Sequence, residues 1–517
     1  MKSKNALISV SDKTGVVQFA RDLMEMGWEI ISTGGTARAL REAGLEVKDV
    51  SELTGFPEIL EGRLKTLHPL VHGGILGRRD QSLHLQQMED YGIETIDLVA
   101  VNLYPCPEVV SKEGVSLENA IENIDIGGPT MVRAAAKNYQ DVIIVVDPSF
   151  YSTVIEELRA GADLDPEIRY IFATEAFSHT AYYDSIISNY LRSREEEEEL
   201  SFPDTITLPF SKVQNLRYGE NPHQEASFYR EPLAPSTSIG SARQLQGKEL
   251  SFNNINDLHS AWEMVKEFDE PSAVAVKHTN PCGVGSAETL SEAYKKAFDS
   301  DPVSIFGGIV ALNQEVDEIT AELMSRIFLE VIVAPSFSQE ALEVLKQKKD
   351  IRLLQLPLEM QDKIRKGYNY KKVSGGLLVQ EDLREFYIPE DWKSVTSRQP
   401  TDQELKDLLF AVKVVKHVKS NAIVLAKRMQ TLGIGAGQMN RVGAVNIATS
   451  QAGESARGTV MASDAFFPFK DGVELAAAAG VTAIVQPGGS NRDRESIEIC
   501  EQYNIAMLFT GKRYFNH

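Results

Sequence analysis

An ammonium and an imidazole stand side by side in the stretch AVAVKHTNPCGVG, residues 273–285. Lys277 and His278 follow four small apolar residues that are typical of a buried strand, and Asn280–Pro281 then breaks the chain. Catalytic groups collect where the strands of α/β sheets end, which favours acid–base chemistry at this pair. Neighbouring residues on a strand point to opposite faces, which is an objection to a shared site. The plain alternative is a strand that has reached solvent.

Two strand-to-helix turns near the start of the chain are rich in hydroxyl groups and glycines. Residues 9–15 read SVSDKTG, and residues 32–36 read STGGT. Glycine lets the backbone approach a ligand closely, and the free amides at a helix N-terminus favour a phosphate. Each turn alone also fits ordinary helix capping, and neither is a Walker A or G-x-G-x-x-G motif. Because consecutive units of one sheet bring both turns to the same edge, together they favour phosphate binding.

A basic loop, GRLKTLHP at residues 62–69, adds Arg63, Lys65, Thr66 and His68. Such a loop is often only a solvated face. Beside the two glycine-containing turns, it can supply charge-assisted hydrogen bonds to a phosphate or a carboxamide.

The stretch NIDIGGPTMVRAAAKN, residues 123–138, predicts a helix with Pro129 at its first position. Asp125 precedes this helix, and Lys137 lies in its last turn. A helix of that length is roughly 12 Å long, so the two side chains cannot simply hydrogen-bond to each other. Either they act on different parts of one ligand, or Lys137 only compensates the helix dipole.

The composition limits the class of protein. A chain of 517 residues exceeds the size of one hydrophobic core, so two or more domains are expected. The net charge of −21 argues against a nucleic-acid partner and against an anionic membrane. Three scattered cysteines form neither a disulfide framework nor a C-x-x-C zinc site. With no signal peptide and no long apolar run, a cytoplasmic location is expected.

The clearest boundary is the acidic stretch SREEEEELSFPD, residues 193–204. Before it, apolar strands such as residues 5–10, 97–105 and 141–148 alternate with helical patterns. This βαβα order predicts a parallel sheet that is covered on both faces. After the boundary, apolar strands and helices also alternate, and no repeat of 20–50 residues is evident.

In their order, these motifs resemble the bifunctional purine biosynthesis family, which joins phosphoribosylaminoimidazolecarboxamide (AICAR) formyltransferase to IMP cyclohydrolase. The resemblance covers almost the whole chain. Its N-terminal motifs are SVSDKTG, STGGTA, GRLKTLHP, VNLYP and IDIGGPT. Its C-terminal motifs are LRYGENPHQ, LSFNNINDLHSAW, VKHTNPCGVG, FGGIVALN, KSNAIVLAK, GIGAGQMNR, SDAFFPF and RYFNH.

The resemblance implies an α/β protein of two domains. Residues 1–195 would form a methylglyoxal-synthase-like parallel-sheet domain with cyclohydrolase activity, and residues 196–204 an acidic linker. Residues 205–517 would form a cytidine-deaminase-like α/β formyltransferase domain. The family implies formyl transfer from 10-formyltetrahydrofolate to AICAR, then cyclisation of formyl-AICAR to IMP with loss of water. It also implies a homodimer whose transferase sites lie between subunits, with no required metal.

For ring closure, the resemblance implies that Lys137 donates and accepts protons, with Lys65, Tyr104 and Asp125 nearby. A lysine acts as a base only if its pKa is lowered by burial or by neighbouring cations. The positions that match substrate contacts are Ser11, Asp12, Lys13, Thr33, Gly34, Gly35, Thr36, Arg63, Thr66, Asn102 and Ile126.

For formyl transfer, the resemblance implies that His278 accepts the proton and that Lys277 stabilises the transition state. The terminal segment AMLFTGKRYFNH is too apolar for a free tail, so we expect it to be packed. Glu330 stands where an aspartate is expected in some relatives. The positions that match substrate contacts are Arg217, Tyr218, Asn254, Gly307, Glu330, Asn421, Arg441, Asp464, Ala483, Ile484 and Arg513.

Two other functions stay open for the N-terminal domain alone. Methylglyoxal synthase and a regulatory domain of carbamoyl-phosphate synthetase share the fold, although neither accounts for the second segment. Two further motifs are weak. Pro281–Cys282 resembles half of a zinc-deaminase motif whose second cysteine is missing. Residues 433–438, GIGAGQ, resemble a dinucleotide loop but lack the acidic residue about 20 positions later.

Overall fold

The computed structural model describes residues 4–104, 109, 110, 114–161, 163–194, 202–359, 367–383, 387 and 389–517. The chain divides into two compact units. Unit 1 comprises Met1–Ser211 with Glu231–Leu233, and unit 2 comprises Lys212–Arg230 with Ala234–His517. Most of the predicted acidic linker, residues 196–204, lies outside the described residues, so its role stays a prediction.

Unit 1 contains the predicted parallel sheet. Its five strands run in the order β3-β2-β1-β4-β5, and every pair is parallel. The central strand is a continuous apolar run in which Ala6, Leu7 and Ile8 are fully buried, as expected for a sheet covered on both faces. The strands are β1 Lys4–Val10, β2 Trp28–Ser32, β3 Lys48–Asp49, β4 Leu98–Asn102 and β5 Ile143–Val145.

Helices of unit 1 follow the strands and cover the sheet. The first helix buries Val16, Phe19, Ala20 and Leu23, which is the helical spacing that the sequence predicts. The helices are α1 Val16–Glu25, α2 Gly34–Glu42, α3 Val50–Thr54, α4 Pro69–Leu76, α5 Ser82–Asp90, α6 Leu117–Glu122, α7 Gly127–Lys137, α8 Tyr151–Arg159 and α9 Pro166–Arg192. Short 3-10 helices span Leu60–Gly62 and Pro148–Phe150.

Helix α7 begins two residues earlier than the sequence predicts. Its first residue is Gly127, so Pro129 occupies the third position rather than the first. Proline is tolerated there because the amides of the first turn have no partner within the helix. The helix is therefore longer than predicted, and ten residues of rise put Lys137 about 15 Å from Gly127.

Unit 2 is built on two six-stranded sheets. They have the orders β10-β9-β11-β12-β13-β8 and β16-β21-β20-β19-β17-β18. The strands of the first are β8 Arg243–Gln246, β9 Ser272–Lys277, β10 Asn280–Ser286, β11 Ile309–Leu312, β12 Val331–Ala334 and β13 Arg352–Gln355. Those of the second are β16 Lys393–Ser394, β17 Ile423–Ala426, β18 Thr431–Gly435, β19 Val460–Ser463, β20 Ala483–Gln486 and β21 Ala506–Phe509.

Two-stranded sheets and eight α-helices complete the described part of unit 2. The small sheets pair β6 Ser211–Leu216 with β7 Ala226–Arg230, and β14 Tyr368–Val373 with β15 Gly376–Glu381. The helices are α10 Phe252–Val265, α11 Leu290–Ser300, α12 Glu318–Met324, α13 Gln339–Lys346, α14 Asp402–Val415, α15 Arg441–Ala452, α16 Asp471–Ala478 and α17 Asp493–Tyr503. Across the described parts of both units, no helix combines the length and apolar character that a membrane span requires.

Successive residues of each central strand in unit 2 face two different hydrophobic cores. Val274 and Val276 of β9 face a core that also receives Val424 of β17. Helices α10 and α14 supply that core with Trp262 and Leu408, so both lie between the two sheets. The opposite faces pack against the other helices: α11 to α13 cover the first sheet, and α15 to α17 cover the second. The sheets and helices therefore form five layers.

The two sheets belong to an internal duplication. Residues 272–286, SAVAVKHTNPCGVGS, align with residues 422–436, AIVLAKRMQTLGIGA, at a constant offset of 150 positions. The shared glycines have one packing reason: a Cβ on Gly283 would lie 2.0 Å from the carbonyl oxygen of Ala297. A Cβ on Gly433 would lie 2.0 Å from that of Ala448. Strand and helix thus pack closely in both repeats.

A buried carboxylate joins the ends of α10 and α14, which belong to different repeats. Oε1 of Glu267 lies 2.7 Å from Nζ of Lys416 and 2.9 Å from Nε2 of His417. Burial alone would raise the pKa of Glu267, but His417 and Lys416 together lower it to about 2. Lys416 also lies over the ring of Tyr387, 5.7 Å from its centroid.

We expect the substitution Glu267→Gln to lower the free energy of unfolding by about 3 kcal/mol, because it leaves the Lys416 ammonium buried without its anion. Urea unfolding at neutral pH measures this, with the exposed Glu322→Gln as control. Folding lowers the pKa of Glu267 from 4.5 to about 2. The contribution of its carboxylate to the free energy of unfolding is therefore fully present above pH 4.5 and is lost as the pH falls from 4.5 to about 2. An equal loss of stability in both variants would contradict this account.

Candidate functional sites

A cavity of about 800 Å³ opens at the carboxyl edge of the sheet in unit 1. Strands β1, β2 and β4 end there, as expected for an α/β ligand site. Most of the predicted cyclohydrolase residues line it: Ser11, Lys13, Thr33, Gly34, Gly35, Thr36, Arg63, Lys65, Thr66, Asn102, Tyr104, Asp125 and Ile126.

One end of this cavity is suited to an anion. The amino end of α2 carries Gly34 and Gly35, and two ammonium groups lie beside these glycines. A Cβ on Gly34 would lie 3.7 Å from Nζ of Lys65, and one on Gly35 would lie 3.8 Å from Nζ of Lys13. Two lysines at a helix N-terminus of positive potential form a phosphate-binding arrangement.

Hydrogen bonds between the strand ends hold this arrangement in place. Oδ1 of Asn102 accepts from the amides of Ser11, at 2.6 Å, and Asp12, at 2.9 Å. The Thr36 hydroxyl accepts from the amide of Val10 and donates to its carbonyl oxygen. Asp12 does not line the cavity. Its carboxylate instead accepts hydrogen bonds from the hydroxyl and the amide of Thr14, and these two bonds lower the pKa of Asp12.

The other end of the cavity contains a carboxylate beside α7. Oδ1 of Asp125 accepts from the amide of Gly128 at 2.8 Å. Both glycines at the start of the helix are required, since a Cβ on Gly127 would lie 2.7 Å from Oγ1 of Thr66. One on Gly128 would lie 2.4 Å from Oδ2 of Asp125. Burial raises the pKa of Asp125, although backbone amides and the Lys65 ammonium partly offset it.

Two charged positions behave differently from the sequence-based expectation. Arg63 lines the cavity but forms an ion pair with Glu122, the last residue of α6. Lys137 is exposed at the far end of α7 and does not line the cavity. The structure therefore does not bring Lys137 together with Asp125, and the length of α7 is the reason.

In unit 2, the break in the chain lies at a different place from the one that the sequence suggests. Asn280 and Pro281 already belong to β10 and pair with Lys277 and Val276 of β9. The turn is formed by His278 and Thr279, whose φ angles are 54° and 60°. Two left-handed residues joining antiparallel strands form a type I′ turn. His278 lies in the turn and not on the strand, so the rule that neighbouring side chains of a strand point to opposite faces does not apply to Lys277 and His278.

The side chains of this hairpin differ in their surroundings. Nζ of Lys277 donates to the carbonyl oxygen of Phe306 at 2.9 Å, next to Gly307 with its φ of 70°. His278 is exposed. A cavity of about 720 Å³ in unit 2, lined by residues that include Glu270, Lys296 and Arg428, contains neither Lys277 nor His278.

The C-terminal segment is packed near this hairpin, as predicted. Tyr514 is buried, and its amide donates to the carbonyl oxygen of Asp464. Lys419 connects hairpin and tail: its amide donates to Oδ1 of Asn280, and its ammonium donates to Oδ1 of Asn516 and the carbonyl oxygen of His517. Burial lowers the pKa of Lys419.

A buried ion pair lies beneath the tail. The Arg441 guanidinium, only 4% exposed, contacts Oδ1 of Asp464, which is fully buried. It also donates to Oδ1 of Asn421 at 2.6 Å and to the hydroxyl of Ser463 at 2.8 Å. The two groups bind each other, and direct contact of Arg441 or Asp464 with the nucleotide stays a prediction.

Four other predicted contacts have structural partners instead. Asn254 forms the capping box of α10 with Ser251. The Glu330 carboxylate pairs with Arg352 at 2.7 Å. Ala483 and Ile484 are fully buried on opposite faces of β20, and their contact with folate stays a prediction.

Two exposed cations of unit 2 remain candidate contacts. Arg217 lies over the ring of Tyr218, 5.7 Å from its centroid, and Arg513 over that of Phe515 at 4.4 Å. Among the described residues of the chain, no cluster of three or more His, Cys, Asp or Glu side chains is arranged to hold a metal ion.

Asp257 of α10 and Lys419 were not among the predicted site residues. The Asp257 carboxylate binds backbone amides of this hairpin, and the amide of Lys419 donates to the side chain of Asn280. A signal for Asp257 was present: Asp407 lies 150 residues later, at the offset of the internal duplication.

Both units have an α/β fold, and the lining of the cavity in unit 1 is suited to a phosphorylated ligand. A family model described as AICARFT/IMPCHase bienzyme matches residues 135–451, and one described as MGS-like domain matches residues 15–130. The chain belongs to the AICARFT/IMPCHase bienzyme family. Neither alternative considered for the N-terminal domain alone explains the match in unit 2.

Relatives extend this similarity over the full length. The bifunctional purine biosynthesis protein PurH of Acetivibrio thermocellus is 58% identical over 515 residues, which is 99% of this chain and 100% of the relative. That of Oceanobacillus iheyensis is 55% identical, with complete coverage of both chains. The crystal structure of ForH is 38% identical, covers 37% of this chain and all of its own, and has a TM-score of 0.34.

The raised pKa of Asp125 leads to a test of the first site. If ring closure requires the ionised carboxylate, its rate falls on the acid side at a pH above 3.8, the ordinary value for an aspartate. We expect Asp125→Asn to lower the rate about 100-fold and to remove this acid limb from the pH–rate profile. The exposed Asp90→Asn serves as control. An acid limb that persists in Asp125→Asn would assign the titration to another group.

Proposed function

We propose that the two activities of this purine-biosynthesis bienzyme belong to the two sites described above, one in each unit. The hairpin in unit 2 transfers a formyl group from 10-formyltetrahydrofolate to the amine of AICAR. The cavity in unit 1 closes the formyl-AICAR ring to IMP and releases water. The observation that carries the proposal is the cavity in unit 1, which combines an anion-binding end with a reactive end.

Ring closure depends chiefly on the geometry of binding. The carboxamide nitrogen attacks the formyl carbon of the same molecule, and oriented intramolecular reactions reach effective molarities of about 10⁵–10⁸ M. Phosphate binding by Lys13 and the amino end of α2 anchors one end of formyl-AICAR. Its carboxamide and formyl groups then reach the end of the cavity that holds Asp125.

The reactive end has groups for each proton and charge. The Asp125 carboxylate takes the proton that the carboxamide nitrogen loses as the C–N bond forms. The Lys65 ammonium stabilises the negative charge on the former formyl oxygen. Tyr104, which also lines the cavity, donates one proton to that oxygen, and Asp125 returns the proton that it took, so that the oxygen leaves as water. The formamide nitrogen loses its proton to Tyr104 as the C=N bond of the new ring forms, which restores both side chains. We assign no direct role to Lys137, because it lies outside the cavity.

Formyl transfer needs a base and a cation at one acyl carbon. His278 takes a proton from the weakly nucleophilic AICAR amine as its nitrogen attacks the formyl carbon. The Lys277 ammonium has three N–H donors, one of which binds the carbonyl oxygen of Phe306. The others can reach the formyl oxygen, where negative charge develops before tetrahydrofolate departs.

The transferase site also motivates a proposal about assembly. His278, Arg217 and Arg513 are all exposed, although a formyl transfer site has to exclude water. A second copy of this chain would cover these residues and complete the site, as in a homodimer. We further propose a cytoplasmic location, which membership of a purine-biosynthesis family supports.

Two substitutions in the hairpin test the assignment of formyl transfer. We expect His278→Ala and Lys277→Ala each to lower the transfer rate by about 10²–10⁴-fold, since each removes a group that acts only in the transition state. Conversion of AICAR and 10-formyltetrahydrofolate measures transfer, and formyl-AICAR supplied directly measures ring closure. Ring closure should keep its wild-type rate. A parallel loss of both activities would show that the two sites are not independent.

A pair of lysine substitutions tests the cyclohydrolase site. We expect Lys65→Ala to lower the rate of ring closure by about 10²–10³-fold, comparable to the loss of one oxyanion donor. Lys137→Ala should change the rate less than about twofold, because Lys137 is exposed outside the cavity. Both rates are measured with formyl-AICAR. A large loss in Lys137→Ala would restore the role that the family resemblance implies.

A further inference from the structure

A single carboxylate holds the backbone of the catalytic hairpin. Asp257, on the first turns of α10, accepts from two consecutive amides: Oδ2 lies 3.1 Å from the nitrogen of His278, and Oδ1 lies 2.7 Å from that of Thr279. Both oxygens are therefore used at the two residues that form the turn. A further hydrogen bond at the turn, from Nδ2 of Asn280 to the carbonyl oxygen of His278, lies within the hairpin itself.

The turn needs this external support because of its own residues. A type I′ turn requires positive φ at both central positions, which Asn and Gly adopt most easily. Here the residues are a histidine and a β-branched threonine, with φ angles of 54° and 60°. A β-branched residue such as Thr279 is strongly disfavoured in the left-handed region. A charge-assisted pair of hydrogen bonds can hold them there.

The second repeat provides an internal comparison. Asp407 on α14 accepts from the amides of Arg428 and Met429, at 2.9 and 2.8 Å, and these residues have φ angles of 53° and 56°. An aspartate that accepts hydrogen bonds from both turn amides is therefore a feature of both repeats. Only the first hairpin presents an imidazole, since Arg428 stands at the position of His278.

We propose that Asp257 is a positioning residue for formyl transfer. Its carboxylate holds the peptide units on both sides of His278 and so fixes the direction in which the imidazole leaves the backbone. This inference rests on the proposed role of His278 as the base. Asp257 itself has no part in binding substrate. Its loss is therefore expected to affect the transfer step rather than the affinity for AICAR.

The test compares matched substitutions in the two repeats. In Asp257→Asn, the side-chain NH₂ group would face a backbone N–H, so one of the two hydrogen bonds is lost. We expect kcat for transfer to fall about 10–100-fold with KM for AICAR changed less than about threefold. Asp407→Asn makes the same change at the second hairpin and should leave transfer within about twofold. Ring closure, measured on the same full-length proteins, should be unchanged in both.

A rescue experiment separates positioning from general damage to the fold. Glycine adopts positive φ without strain, so Thr279→Gly should restore part of the transfer rate in the Asp257→Asn protein. Thermal unfolding of each variant checks that it is folded. Two results would overturn the inference even if His278→Ala abolishes transfer. One is an equal fall in kcat for transfer in Asp257→Asn and Asp407→Asn, and the other is a change in KM for AICAR with no fall in kcat. Full transfer by His278→Ala would instead overturn the proposed function, and the inference with it.

Discussion

Neighbouring side chains on a strand face opposite ways, and this constraint applies to any site that uses Lys277 and His278 together. A lysine and a histidine that follow each other can serve one reaction centre only if the strand ends between them. The chain meets this requirement with a left-handed turn at His278 and Thr279. The turn depends in turn on Asp257, and the close strand–helix packing at Gly283 holds the strand that follows.

The parallel sheet of unit 1 could be predicted because its information is local. Continuous apolar strands, helical spacing in α1 and turns rich in glycine all lie within short windows of sequence. The rule that parallel strands end at one edge then brings Lys13, Gly34 and Asn102 together. By contrast, the turn at His278 has no local signal, since its stabilising carboxylate lies 21 residues earlier on a helix. The duplication was missed because its period of 150 residues is far longer than those of common repeats.

Several predicted contact residues of unit 2 bind other groups of the protein, and a sequence does not show this competition among polar groups. A sequence shows that Arg441 is a cation but not that Asp464, Asn421 and Ser463 already bind its guanidinium. Likewise, the sequence does not show that Ala483 and Ile484 lie on a central strand that is covered on both faces. Family resemblance transfers positions, whereas burial and pairing decide which side chains can touch a ligand.

The acidic composition does not oppose the binding of phosphorylated substrates. With a net charge of −21, the chain repels anions at long range, but salt screens such repulsion beyond about 8–10 Å. Recognition then depends on the last few ångströms, where Lys13, Lys65 and the amino end of α2 converge in one cavity. The pairing of Arg63 with Glu122 limits the positive charge at the other side of that cavity. In the function proposed above, the anion binds at the end where the fold also supplies backbone amides, and this end sets the direction in which an asymmetric substrate enters.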